Sequence, residues 1–459
     1  MKLSVKTGAK DMTEGSILRL LLVFAFPLMV GNFFQLLYNT VDAYVVGNYV
    51  GKTALGAVGS TGSIVNMVVS IFTGMSGGAG AVISQYFGAK DDEKVRTSVH
   101  TAIILTVVIG IASTFVGVVY ADDFLRMMKT PAEILPEAIT YLRIYFAGIM
   151  GLMIYNIFAG ILRAVGDSQS PFYALIVSSL VNVALDLLFV RVFDLGVAGV
   201  AYATLIAQVV SSVFLAVVLI RAKGPHRISF REVSYSKDIL KMIIVIGLPT
   251  AIHMGITAFS NIFVQSYINA FGENVTTAWS SYGKIDQIVH LPMLSIALAT
   301  TTFVGQNLGA DKVERAKKGI RTAVYLSLGI TAVLMLPILI FAPEITAIFN
   351  KDATVVHYGA YILRLITPFY LAFCINQVIS SALRGAGITK IPMIFSLGSF
   401  VFFRQAYLFV INQLNYGGNL TLVALSYPFG WIVCSAIYLV YYNVSGWEKK
   451  YALAKNKNK

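Results

Sequence analysis

The chain has few charged residues and few cysteines, and each scarcity excludes a class of protein. Asp, Glu, Lys and Arg make up 12% of its 459 residues, whereas 57% are hydrophobic. A soluble domain carries about 25% charged residues. The only cysteines, Cys374 and Cys434, fall inside apolar stretches, so neither a disulfide framework nor a cysteine metal site is expected. The composition therefore indicates an integral membrane protein.

The sequence also lacks the motifs of nucleotide hydrolysis and of membrane-embedded catalysis. The glycine-bearing loop GNYVGKT (47–53) has three residues between its glycines, where a phosphate loop needs four. It also lies between two predicted helices instead of following a strand. No HExxH motif is present. We therefore expect neither ATP-driven transport nor an enzyme, and no cofactor or resident metal.

Apolar runs long enough to cross a bilayer as helices dominate the chain. A run of about 20 residues spans the ~30 Å hydrocarbon core. Twelve such runs predict an all-α integral membrane protein with twelve transmembrane helices. Their approximate spans are 17–46, 53–83, 97–120, 138–162, 171–191, 197–220, 239–269, 274–304, 319–341, 358–383, 391–412 and 420–443.

Basic residues are distributed unequally between alternate loops. Most of the 35 Lys and Arg residues fall at the two termini and in every second loop, including the basic segment 221–238. By the positive-inside rule this places both termini in the cytoplasm. The net charge of +13 is then an orientation signal and not a nucleic-acid surface. We expect membrane lipid to surround the protein, and we expect the protein to be a monomer.

The two halves of the sequence resemble each other at a shift of about 221 residues. Pro27 in FAFPLMVGNF corresponds to Pro249 in VIGLPTAIHM, and ILRAVGDSQSP (161–171) corresponds to ALRGAGITKIP (382–392). Because each half holds six spans, the halves are predicted to be parallel six-helix repeats. The predicted domains are an N-lobe (1–220), a cytoplasmic linker (221–238) and a C-lobe with a basic cytoplasmic tail (239–459).

The first half carries two acidic residues inside predicted spans. A carboxylate within the membrane is costly and marks a functional site by default. Asp42 shares a helix face with Gln35 and Asn39, close to Tyr38, and Pro27 should kink the same helix. Three further residues should lie at a depth similar to that of Asp42: Asn182, Asp186 and Thr204. These four side chains offer oxygen ligands for a hard cation such as Na⁺, and the two carboxyl groups could instead share a proton.

The second half departs from this pattern. At the same shift Asp42 corresponds to Val264 and Asp186 to Tyr407, so the acidic pair is absent. Span 8 instead carries Lys284, Asp286 and His290. Arg404 is a further membrane charge. Two interpretations stay open for all of these charges, namely structural ion pairs or the lining of a cavity in which they could contact an anionic or zwitterionic portion of the substrate.

Several motifs together resemble the multidrug and toxic compound extrusion (MATE) family over about residues 15–445. They are QYFGA (85–89), LRAVGD (162–167), NVALD (182–186), GVAGVAYAT (196–204), VGQNLGA (304–310) and LRGAG (383–387). The first half is most similar to the DNA-damage-inducible (DinF-like) bacterial and archaeal subgroup, although Leu187 stands where that subgroup often has proline. The resemblance implies the fold shared with the wider MOP superfamily.

The resemblance also implies roles for individual residues. Asp42, Asn182, Asp186 and Thr204 would bind the coupling cation, and Pro27, with Pro249 as its counterpart, would act as a hinge. Gln35, Tyr38 and Asn156 would line the adjacent substrate cavity, and the protein would lie in the cytoplasmic membrane of a bacterial or archaeal cell. Apart from the resemblance, we also expect Asn39, Lys284 and Asp286 to line the substrate cavity, because they are polar residues inside predicted spans.

We therefore expect an antiporter driven by H⁺ or Na⁺ that exports drugs and other amphipathic, often cationic, organic compounds. The alternative within the same superfamily is a lipid-linked oligosaccharide flippase, although twelve spans and an acidic first half argue against it. A membrane-embedded enzyme is the alternative from a different class.

Overall fold

The computed structural model describes residues 8–229, 231–414 and 417–448. Within these ranges the regular structure is entirely helical. The predicted basic tail, residues 449–459, lies outside the described residues, as do residues 1–7.

The helices of the first half follow the predicted spans closely. We number them by span, and short helices between spans are left without a label. The bounds are α1 Ile17–Val45, α2 Lys52–Gly88, α3 Asp92–Val119, α4 Leu135–Ala147 with Ile149–Ala164, α5 Gln169–Asp186 and α6 Gly196–Arg221.

The second half repeats this order of helices. The bounds are α7 Lys237–Asn269, α8 Glu273–Gly309, α9 Val313–Ile340, α10 Ala353–Ile366 with Tyr370–Gly385, α11 Lys390–Leu397 with Arg404–Gln413, and α12 Leu420–Ala424 with Ser426–Val444.

Eleven of these helices are long and apolar enough to cross a membrane, and α4 makes twelve if its two pieces count as one span. The pieces of α4 meet at Gly148 at an angle of 46°. A side chain on Gly148 would collide with Leu205 of α6, so the absence of one lets the bend pack closely. The prediction of an all-α membrane protein is confirmed.

Three helices contain a π-helical segment, which the sequence analysis did not predict. The segments are Val46–Val50 after α1, Leu187–Val192 after α5 and Gly398–Phe403 within α11. A π segment adds one residue to a helical turn and is found frequently at functional sites. The first two directly follow the helices that carry Asp42 and Asp186.

The predicted shift of 221 residues is visible in the backbone. Three positions with positive φ in the first half, Gly51, Lys90 and Gly166, have counterparts 221 residues later in Gly272, Asp311 and Gly387. Positive φ is uncommon for residues other than glycine, so Lys90 and Asp311 are an informative pair. The two halves therefore share turn conformations as well as helix order.

The chain divides into two compact units at Pro27 and Pro249, the two prolines predicted to act as hinges. Among the described residues, the first unit holds 8–11 and those of Pro27–Leu248, and the second holds Met12–Phe26 and those from Pro249 to residue 448. Proline has no backbone N–H and clashes with the preceding turn, so it interrupts the hydrogen-bond ladder of α1 and α7. The units therefore divide inside helices, whereas the sequence placed the boundary in the linker 221–238.

Specific contacts hold the start of α7 in the first unit and the segment Met12–Phe26 in the second. Ile239, Ile243 and Ile246 of α7 are buried in the core of the first unit, and Gly247 packs against Gly78 of α2. In the second unit, the Met12 amide donates to Gln306 Oε1 at 2.8 Å. Asn307 and Arg315 both donate to the Met12 carbonyl.

Candidate functional site

Three helices of the first unit bring the predicted cation-binding residues together. One apolar cluster contains Val45 of α1, Val190 directly after α5, and Val200 with Ala201 of α6. These residues lie within one helical turn of Asp42, Asp186 and Thr204, respectively. The packing of this cluster therefore fixes the neighbouring polar side chains on α1, α5 and α6.

Three of the four predicted residues are buried, and Asp42 is partly buried. Asn182 and Asp186 are 0% exposed and Thr204 is 9% exposed. Asn182 and Asp186 lie four residues apart on α5 and share a face. The carboxyl groups of Asp42 and Asp186 interact with each other, although neither makes a hydrogen bond of good geometry.

Buried polar atoms without a hydrogen-bond partner are concentrated at this site. Five are oxygens: Asp42 Oδ1, Asn182 Oδ1, Asp186 Oδ1 and Oδ2, and Thr204 Oγ1. The sixth is Asn182 Nδ2. A buried polar group left unpaired costs about 1–3 kcal/mol, and more if it is charged. Such a concentration is a candidate binding site for a small cation or for protons, because either would satisfy these oxygens.

Tyrosines from α1 and α4 form one wall of the site. Tyr38 is buried, and its hydroxyl lies close to the side chain of Gln35 and within electrostatic range of Asp42. Tyr141 lies within electrostatic range of both Asp42 and Asp186, and it stacks on Tyr145 at 6.3 Å between ring centroids. The sequence analysis included Tyr38 but missed Tyr141 and Tyr145. Their separation of four residues within one span is the signal that could have found them.

The remaining residues predicted for the cavity of the first half occupy different surroundings. Asn39 is exposed. Asn156 of α4 donates from Nδ2 to the Leu152 carbonyl at 2.9 Å, and its own carbonyl accepts from Ser76 of α2 at 2.6 Å. Asn156 therefore takes part in helix packing. Beside Thr204, a crevice is lined by Tyr145, Leu152 and Gln208 among other residues.

In the second unit, Asp286 lies among aromatic side chains. Its carboxylate accepts from the hydroxyls of Tyr370 at 2.6 Å and Tyr282 at 3.1 Å, and it lies 3.4 Å from His290 Nδ1. Lys284 lies elsewhere, because its side chain is exposed and its ammonium is 5.5 Å from the centroid of the Phe349 ring. Within the described residues, no group of three or more His, Cys, Asp or Glu side chains is arranged to hold a metal ion.

A comparison with known protein families shows to which family this chain belongs. The MatE family model matches it twice, over residues 27–188 and 249–407, and the two matches begin at Pro27 and Pro249. The chain belongs to the MatE family. The predicted resemblance is confirmed at this level, whereas assignment to the DinF-like subgroup stays a prediction.

Relatives cover nearly the whole length of this MatE protein. It is 29% identical over 445 residues to the probable multidrug resistance protein YoeA of Bacillus subtilis, covering 95% of this chain and 96% of that protein. It is 26% identical to the probable multidrug resistance protein NorM of Thermotoga maritima, over 96% and 95% of the two chains. These relatives are named as resistance proteins and not as enzymes.

Solved structures of the family have the same fold. An outward-facing multidrug resistance MATE family transporter of the MOP superfamily matches with a TM-score of 0.89 and 26% identity. The match covers 95% of this chain and 98% of that structure. A MATE structure in complex with MaL6 matches with the same TM-score at 25% identity, over 96% and 99% of the chains.

Proposed function

We propose that this MatE protein is a secondary active exporter that exchanges external H⁺ or Na⁺ for amphipathic, often cationic, drugs. The observation that carries the proposal is the set of five unpartnered buried oxygens on Asp42, Asn182, Asp186 and Thr204. Relatives that match it over nearly their full length are named as multidrug resistance proteins, which favours drugs as the exported compounds. We place the protein as a monomer in the cytoplasmic membrane, with both termini in the cytoplasm.

The ligand set suits a monovalent ion or a proton. Carboxylate, amide and hydroxyl oxygens are ligands for hard cations such as Na⁺. Two neighbouring carboxyl groups can alternatively share a proton. In either case the bound cation neutralises charge that is buried between α1, α5 and α6.

Neutralisation would drive transport through a difference in affinity between two states. A ligand shifts a conformational equilibrium only as far as it binds one state better than the other. Asp42 is on the part of α1 that follows Pro27, and the part that precedes Pro27 belongs to the other unit. A change in packing around Asp42 would therefore reach the hinge through a single helix.

Proteoliposomes with independently imposed gradients test this proposal. Ethidium efflux is measured with an inward Na⁺ gradient at equal pH, and then with an inward proton gradient without Na⁺. Asp42→Asn and Asp186→Asn should each abolish the stimulation by whichever gradient drives the wild type. Asp123→Asn is the matched control, because Asp123 is an exposed carboxylate in the same unit.

Two results would contradict the proposal. Efflux by the wild type that responds to neither gradient would exclude coupling to H⁺ or Na⁺. Full gradient-driven efflux by both Asp→Asn variants would place the coupling site elsewhere. If fluorescent lipid-linked oligosaccharide moved across the bilayer and ethidium did not, the flippase alternative would replace drug export.

A further inference from the structure

The second unit contains a buried arginine that is not paired with a carboxylate among the described residues. Arg404, on α11 directly after the π segment, is 3% exposed. Its Nη2 donates to Ser260 Oγ and to Asn261 Oδ1, both at 2.9 Å. Its Nε is buried without an acceptor. A buried charge is costly unless it is paired, so this guanidinium is suited to bind an anionic group.

The arginine is held in position by its neighbours. Ser260 is 1% exposed, and both its hydroxyl and its carbonyl accept from Gln405 Nε2. The guanidinium lies over the ring of Tyr427, with 4.7 Å between Cζ and the ring centroid. A guanidinium presents parallel N–H groups that match the two oxygens of a carboxylate or phosphate. Nη2 already donates to Ser260 and Asn261, so the buried Nε–H is the donor that is left for a ligand oxygen.

An opposite charge, that of Asp286, also lies near Tyr427. This ring is within electrostatic range of both Arg404 and Asp286, yet the two charged residues do not pair with each other. Asp286 keeps 22% of its side chain exposed. Further aromatic rings connect the area, since the centroid of Tyr427 lies 5.7 Å from that of Trp279 and 6.2 Å from that of Trp431. Aromatic faces also attract organic cations.

We propose that α7, α8, α11 and α12 of the second unit form a binding site for zwitterionic amphipaths. The carboxylate or phosphate of the ligand binds Arg404, its ammonium group binds near Asp286, and its apolar body lies along Tyr427 and the neighbouring aromatic rings. The site goes beyond export of cations, because Arg404 selects for a negative group as well. It rests on the proposed function only for the direction of movement.

Three probes with one aromatic body separate the two charges. Nε-dansyl-lysine is a zwitterion, its methyl ester carries only the positive charge, and its Nα-acetyl derivative carries only the negative charge. Binding to the purified full chain is measured by dansyl fluorescence without any ion gradient. The wild type should bind the zwitterion at least ~10-fold more tightly than either derivative, because each hydrogen bond to a charged group contributes a factor of about 10 or more.

Variants assign each charge to its residue. Arg404→Gln should weaken binding of the zwitterion and of the acetyl derivative by about 10-fold or more and leave the ester within about twofold. Asp286→Asn should weaken binding of the zwitterion and of the ester instead. Arg364→Gln, which changes an exposed arginine of the same unit, is the matched control.

A second variant keeps the test valid if Arg404→Gln does not fold. Asn261→Asp is isosteric and places a carboxylate against the guanidinium. It should therefore displace the negative group of the zwitterion and leave binding of the ester unchanged. Equal loss of all three probes in Arg404→Gln, or equal affinity of the wild type for the zwitterion and the ester, would overturn the proposal.

Two further measurements identify the source of the ligand and separate the binding-site proposal from the antiport proposal. Displacement of the probe by dihexanoyl phosphocholine below its micelle concentration would identify a lipid headgroup as a ligand, whereas displacement by zwitterionic amino-acid amphipaths alone would identify soluble compounds. If neither displaces the probe, the site is wrong. If the wild-type protein prefers the zwitterionic probe but shows no gradient-driven ethidium efflux, the binding site is supported and only the antiport is refuted.

Discussion

The cation site can be tested without transport, through the thermal stability of the detergent-solubilised protein. Binding of a ligand to the folded state alone stabilises it by RT ln(1 + [L]/Kd), which is about 2.7 kcal/mol at 100 times Kd. An unfolding entropy of ~2.1 cal/mol/K per residue gives about 1 kcal/mol/K for a chain of this length. The wild-type Tm should therefore rise by about 3 °C when the coupling cation saturates the site.

The assay titrates each candidate cation separately. Na⁺ replaces choline at constant ionic strength and pH, and pH is then lowered without Na⁺. Asp186→Asn removes one of the two carboxylates and should abolish the rise in Tm caused by the cation that stabilises the wild type. It should not lower the Tm in choline, because it replaces a buried group that has two unpartnered oxygens.

An exposed aspartate provides the control for this assay. Asp123→Asn should keep the full rise in Tm, since Asp123 is exposed and lies outside the cluster. If Asp186→Asn and Asp42→Asn both keep that rise as well, the stabilising cation binds elsewhere, and the five unpartnered oxygens do not form its site.

Three further variants probe the predicted hinge, the helix packing and the linker 221–238. Pro27→Ala restores a backbone donor to α1 and should slow gradient-driven ethidium efflux while leaving the cation-dependent rise in Tm unchanged; undiminished efflux would refute the hinge. Gly78→Ala would drive a methyl group into the backbone of Gly247 and should cost about 1–3 kcal/mol, whereas Gly77→Ala, which meets open space, should leave the Tm unchanged; equal Tm values would refute the close packing. Burial lowers the pKa of His226 below its usual 6.5, with Asp167 partly opposing this shift. The folded protein then binds fewer protons at His226 than the unfolded chain does. The contribution of His226 to stability is therefore present above about pH 6.5 and is lost as pH falls. His226→Gln should flatten this part of the profile of Tm against pH.

The sequence predicted the helices and the first-half cluster well because both follow from strong local signals. Apolar runs of membrane length give the spans directly, and rare carboxylates within them attract attention by their cost. Asp42, Asn182 and Asp186 also have regular helical spacing. These signals do not depend on how the chain packs.

Other features depended on packing that the sequence does not encode locally. The π segments at Val46–Val50 and Leu187–Val192 have no composition of their own, so the sequence analysis treated them as ordinary helix. The separation of two residues between Lys284 and Asp286 already indicated different helix faces, but the position of Lys284 over Phe349 depends on packing. The domain boundary in the linker 221–238 stays a prediction, and the compact units divide at Pro27 and Pro249.

The repeats differ most in the sign of the charge that each buries. Within the first unit, α5 carries Asp186, which is 0% exposed and whose carboxylate has no hydrogen-bond partner. Its counterpart in the second unit, α11, carries Arg404, which is 3% exposed and has a free Nε. A duplicated helix that buries an acid in one copy and a base in the other can bind a cation in the first unit and an anionic group in the second. Exchanging these signs is therefore the sharpest test of both assignments. Arg404→Asp should transfer cation-dependent stabilisation to the second unit if burial and charge determine what each repeat binds. It should not do so if the individual ligand geometry determines what each repeat binds. If Arg404→Asp shows no cation response beyond that of the first-unit site, the oxygens contributed by Asn182 and Thr204 are essential parts of that site.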